Sequence, residues 1–163
     1  MKQAGAGFSI TLDDAEWKEV EAAIGRLESG LRLELSRFIG EELLSIAQDS
    51  FEKETSPAGV SWAPWSDWYR DFGQHGAKKL DRRGDLFGSL VYEAMPEMVI
   101  VGSTMVYAPT HQFGAEKGEF GKTKRGAPIP WGDIPARPFL GITEDFSDRI
   151  LGDPAVLELL GVR

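Results

Sequence analysis

A chain of 163 residues, 42% of them apolar, is long enough to bury one hydrophobic core, and it reads as a single domain. Its formal net charge of −8 opposes a phosphate backbone, which proteins hold through clustered Lys and Arg, so sequence-specific DNA binding is disfavoured. Cysteine is absent, which excludes disulfides, thiol nucleophiles and thiolate zinc sites; no apolar run nears the roughly 20 residues of a membrane span and no signal pattern leads the chain, so a cytosolic protein is expected.

The acidic excess is uneven: residues 1–56 carry twelve acids and six bases, net −6, against −2 for the other 107. Residues 1–10, with Gly5 and Gly7, read as a frayed start. Thr11-Leu12-Asp13-Asp14 then places acids in a helix's first turn, where the dipole favours them, and Trp17, Val20, Ile24 and Leu27 recur at helical spacing. After the break at Ser29-Gly30, a longer helix is expected over about 31–54. Its buried stripe would be Leu31, Leu35, Phe38, Ile39, Leu43, Ile46 and Ala47, with Arg32, Glu34, Glu41 and Asp49 turned away. The helical region 11–54 thus predicts a helical hairpin.

Composition changes at Thr55. Residues 56–70 read SPAGVSWAPWSDWYR, with Pro57, Gly59 and Pro64 as breakers and Trp62, Trp65, Trp68 and Tyr69 crowded together. Rings of this size chiefly fill the gap between helices and a sheet, so Trp62, Trp65 and Tyr69 are expected as core anchors of an aromatic loop, and the polar stretch 71–84 as its tip. The segment 85–142 should hold the sheet: Ser89 to Ala94 and Met98 to Gly102 form a hairpin about a turn at Met95-Pro96-Glu97, and Arg137 to Ile142 forms a third strand. Between them, Tyr107 to Phe113 suggests a short helix carrying His111. The long loop 116–130, glycine- and proline-punctuated with little to bury, suggests a mobile excursion. A C-terminal helical segment, 143–163, is interrupted at Gly152 and Pro154. The expected class is α+β, with helices packed on a small antiparallel sheet.

No catalytic pattern stands out. The two histidines, His75 and His111, belong to no HExxH or HxH arrangement, and GxSxG, the phosphate-binding loop and GxGxxG are absent. Neither an enzyme nor a bound cofactor or metal is expected, and His111 reads as a hydrogen-bonding residue beside Tyr107 or Gln112. Two basic clusters, Lys78, Lys79, Arg82 and Arg83 around Asp81, and Lys117, Lys122, Lys124 and Arg125 around Glu119, each net +3. They are solvated loops or, as an alternative, the phosphate-holding loops 78–83 and 117–125 of a small nucleic-acid-binding domain. A hydrolase using His111 and a nearby acid is a further rival.

In Pro135-Ala136-Arg137-Pro138-Phe139-Leu140-Gly141 an arginine sits between two prolines, each of which locks its own backbone, while Pro138 also pushes Arg137 extended. Either Arg137 is a permanent cation presented on a stiff strap, or the strap is a rigid lead into a strand with Phe139 and Leu140 as core anchors. The ordered series Gly59, Trp62, Pro64, Ser66, Tyr69, then Gly84, Leu86, Ser89, Val101-Gly102, Tyr107-Ala108, His111-Gln112, Gly114 and this strap resembles the phage virion morphogenesis family, which includes tail completion proteins of Mu-like contractile-tailed phages. The resemblance spans about Leu35 to Ile150. Its most specific part is the combination of HQFG with PARPFLG, and it departs from the pattern at Trp65, where leucine is usual.

The resemblance implies a structural virion component acting at the neck or tail end in head-to-tail joining. Its expected partners are copies of itself in a homo-oligomeric ring, with six subunits one arrangement, and other neck and tail proteins. It would work in the bacterial host's cytoplasm and then in the virion, with genomic DNA passing nearby without specific binding and no membrane. Arg137, His111, Gln112, Lys117, Lys122, Lys124 and Arg125 are the expected assembly interface.

Overall fold

The computed structural model describes residues 29–65, 70, 78–80 and 83–161. The expected helix over 11–28, and with it the helical hairpin, lies outside the described residues, as do Trp68, Tyr69 and His75. Among the described residues, helix α1 (Ser29–Lys53) is followed by a 3₁₀ turn (Phe87–Ser89) and the strands β1 (Leu90–Met95) and β2 (Met98–Ser103). Three short helices complete the order: α2 (Ala108–Phe113), α3 (Phe146–Gly152) and α4 (Pro154–Leu159). The architecture is α+β.

The antiparallel hairpin pairs Leu90 with Ser103, Tyr92 with Val101 and Ala94 with Val99, the intervening pairs facing outward. Its tight turn falls at Pro96-Glu97, where a fixed proline φ suits a reversal. Helix α1 lies across both strands. They come close at Gly40, where an added Cβ would lie 2.3 Å from the Tyr92 ring, and the Tyr92 hydroxyl donates to Glu41 Oε1 at 3.2 Å. A helix interior normally disfavours glycine by about 1 kcal/mol relative to alanine. Here the missing side chain is what lets an aromatic ring lie against the helix backbone.

Helix α1 feeds two clusters. Leu35, Ile39 and Ile46 join Phe146, Ile150 and Val156 from α3 and α4, while Ala47 and Phe51 join Trp62, Leu86, Leu90, Ala108, Phe139 and Leu140. Phe51 is the hub of the second, with its ring centroid 5.4 Å from Trp62, 5.7 Å from Phe87 and 5.2 Å from Phe139. Of the expected stripe, Leu35, Ile39, Ile46 and Ala47 are buried, and Ser36, Ser50 and Phe51 are buried with them. The Ser50 hydroxyl satisfies itself on the Ile46 carbonyl at 3.1 Å, which is how a polar residue sits on an apolar helix face.

Two expectations are corrected. No third strand forms at 137–142: Pro135 and Pro138 lack the N–H a ladder needs, and the segment is bound by side chains instead. Nor is 116–130 an unstructured excursion. Ala115 and Ile134 exchange backbone bonds of 2.8–2.9 Å, and Gly118 to Pro130, Phe120 to Ile129 and Thr123 to Ala127 continue the pairing outward, so the segment is a hairpin-like arm. Its end is a turn closed by Gly126 N–H on the Thr123 carbonyl at 2.9 Å, with Gly126 at φ 82°, a left-handed position natural to glycine.

Candidate functional site

The HQFG and PARPFLG motifs meet in space. Gln112, buried on α2, accepts from the Phe139 and Leu140 amides through Oε1, both at 3.0 Å, and donates from Nε2 to the Leu140 carbonyl at 2.9 Å. One side-chain amide thereby does for the strap what a neighbouring strand would do. The Arg137 amide adds a bond to the His111 carbonyl at 2.7 Å. Gly114 ends α2 at φ 81°, and a Cβ there would lie 2.7 Å from the Ile134 carbonyl and 2.9 Å from the Ala136 nitrogen. Both the backbone conformation and the lack of space call for glycine.

On its other side the strap is held by residues 62–64. Trp62 Nε1 donates to the Pro138 carbonyl at 2.7 Å, while Arg137 donates from Nε to the Ala63 carbonyl at 3.0 Å and from Nη2 to the Pro64 carbonyl at 2.9 Å. The guanidinium therefore points inward, only 7% of the residue being exposed. Burial lowers its pKa and the charge of Glu54 partly offsets this; arginine starts high enough to remain charged. The expectation of Arg137 as an outward cation is corrected, because the Ala63 and Pro64 carbonyls give its planar fork two aligned acceptors inside the fold. Gln112 is likewise internal. Trp62, Phe139 and Leu140 are buried core anchors, Trp65 is half-buried, and Tyr69 lies outside the described residues.

His111 is half-buried with its ring edge-on to Tyr107, centroids 5.8 Å apart, and its buried Nδ1 has no hydrogen-bond partner among the described residues. Burial, then the nearby positive charge of Arg137, hold its pKa below the ordinary histidine value. Both effects disfavour the protonated imidazole. Among the described residues no group of three or more His, Asp or Glu is placed to hold a metal.

The basic clusters separate. Lys79 is engaged, its amide and Nζ each donating to the Glu54 carboxylate at 2.6 Å. Burial pushes the Glu54 carboxyl up, but Lys79's hydrogen bonds and charge outweigh it and leave the pKa lowered. Lys78 and Arg83 are exposed, and Asp81 and Arg82 lie outside the described residues. By contrast Lys117, Lys122, Lys124 and Arg125 are all exposed on the arm, together with Phe120, Ile129 and Trp131. Large exposed apolar side chains gathered on one projection are the usual mark of a contact surface.

Residues 15–155 match the phage virion morphogenesis family. The chain belongs to that family. It is 33% identical over 121 residues to the putative capsid assembly protein G of Escherichia phage Mu, covering 71% of this chain and 72% of that protein. It is 31% identical over 148 residues to the Mu-like prophage FluMu G protein 2 of Haemophilus influenzae, covering 90% of this chain and 92% of that protein. No solved structure matches it. As a member of a virion morphogenesis family, the chain takes part in phage assembly. The HQFG and PARPFLG segments of this chain are the two halves of one buried clasp, a role visible in sequence only as a glutamine between His111 and Phe113 and a strap short of backbone donors.

Proposed function

We propose that this virion morphogenesis protein is a neck or tail-completion component that joins tail to head as one subunit of a homo-oligomeric ring, acting through surfaces and not through chemistry. The observation that carries the reading is the division of labour around the strap. Its polar residues are spent internally on the clasp, and the clasp anchors an arm with basic side chains exposed at its tip and, on its stem, the large apolar Phe120, Ile129 and Trp131 exposed among charged residues. Ring-forming connectors work by matching one symmetric surface to another, and a rigid base with an exposed arm supplies such surfaces.

The test is complementation. Cells producing phage without this protein should accumulate filled heads and separate tails, and purified protein added to the lysate should restore infectious particles with no cofactor. Normally joined virions in the mutant lysate, or no tails at all, would overturn the proposal.

Exposure of Lys122, Lys124 and Arg125 at one turn favours a second reading, a nucleic-acid contact at the arm tip. Duplex-DNA binding with a steep salt slope would support it. Engagement of Lys79 by Glu54 and the net charge of −8 weigh against it.

A further inference from the structure

We infer that the arm spanning Ala115 to Ile134 is the element by which one copy of this chain grips a second copy, its basic tip lying on the acidic outer stripe of the second copy's α1. The inference rests on the ring reading above and names the contact that would build such a ring. Three observations carry it. The arm is tied at its root by the reciprocal Ala115–Ile134 bonds and paired along its own length, so its backbone bonds are made within itself and its exposed side chains are left for a contact. Its stem exposes Phe120 at 54%, Ile129 at 38% and Trp131 at 68%, large apolar side chains of the kind that protein contacts cover.

The third observation is charge. Residues 122–125 carry +3, so the remainder of the chain carries −11, and every other copy confronts the tip with an oppositely charged body. On that body Glu34, Glu41 and Glu52 are exposed on α1, and their spacings of seven and eleven residues put them on one stripe. Arg37 is also exposed on α1, leaving the stripe net acidic. On this helix Glu42 and Asp49 are already paired with Arg149 and Lys53, and Glu41 accepts one bond from the Tyr92 hydroxyl while staying exposed, which leaves Glu34 and Glu52, with the exposed side of Glu41, as the partners for the tip. The tip charges would steer and orient the approach while the stem's apolar groups hold it.

Sedimentation of the full chain tests this directly. The wild type should self-associate at low salt and dissociate as salt rises. Lys122→Glu/Lys124→Glu/Arg125→Glu should weaken association by about tenfold or more. Trp131→Ser should weaken it similarly while leaving the salt dependence in place. Thermal melts matching the wild type would show that the variants fold. Because the chain has no cysteine, Lys124→Cys can carry a single photo-crosslinker; in a sample mixing light and heavy isotopes, links should join unlike copies and land on peptides from α1.

A wild type that stays monomeric, tip variants that associate normally, crosslinks confined within one copy, or a tip that prefers duplex DNA would each overturn the inference. Protein that remains monomeric yet restores virions in the lysate would remove the arm grip and leave the head–tail role standing. Protein that associates through the arm yet fails to restore virions would do the reverse.

Discussion

At the scale of single residues, Gln112 and Arg137, one from each motif, spend their polar groups on the fold itself. Replacing Gln112 by Ala would strand two buried amides and one carbonyl, at roughly 1–3 kcal/mol for each group left unsatisfied, so a loss of about 3 kcal/mol or more is expected in denaturant unfolding. Arg137→Ala should cost about 2–4 kcal/mol through the Ala63 and Pro64 carbonyls, and Arg137→Lys should not recover it, since an ammonium lacks the planar fork that spans both. A melt unchanged by Arg137→Ala would show that these bonds contribute nothing. His111 makes a pH prediction. Its folded pKa lies below the ordinary value of about 6.5, so the unfolded chain binds the proton first, and stability should fall as pH drops below about 6.5 until the lowered folded pKa is reached. His111→Phe should remove that part of the slope, as read from melting temperatures between neutral and mildly acidic pH.

At the scale of elements, the crossing of α1 over the hairpin depends on a matched pair, Gly40 and Tyr92. Gly40→Ala improves helix propensity by about 1 kcal/mol but drives a methyl into the ring, so the net effect should be destabilising by about 1–3 kcal/mol. Gly40→Ala combined with Tyr92→Leu should be less harmful than the sum of the single changes, because the smaller side chain restores the space. Simple additivity in that cycle would mean the two elements do not touch as described. The arm shows the opposite design. Its backbone pairs with itself while its large apolar side chains face solvent, so its amides should exchange faster than those of α1 and slower than an unstructured segment's.

At the scale of the whole molecule, body and arm should be separable. The arm's root residues Ala115 and Ile134 already lie side by side, so excising 116–133 and closing the gap with a short glycine-serine link should leave the melt close to wild type. The same protein should fail to restore virions in the lysate assay. A shortened protein that unfolds would show the arm to be part of the core, and one that restores virions fully would remove it from assembly.

Much of the frame follows from local pattern. Helix α1 was legible because its apolar residues recur at helical spacing, the hairpin because two β-rich runs flank Met95-Pro96-Glu97, and the broken C-terminal helix because Pro154 cannot continue α3. The family was legible as well, since HQFG and PARPFLG are read in order along the chain. What each motif residue does was decided only in three dimensions. Whether an arginine between prolines faces water or its own chain depends on where acceptors 73 and 74 residues away come to rest, and no pattern around Arg137 encodes the Ala63 and Pro64 carbonyls. The same holds for the strap. Its β-like residues suggest a strand, but a strand needs a neighbour with free backbone groups; the fold supplied the Gln112 amide, and long-range packing outweighed local propensity.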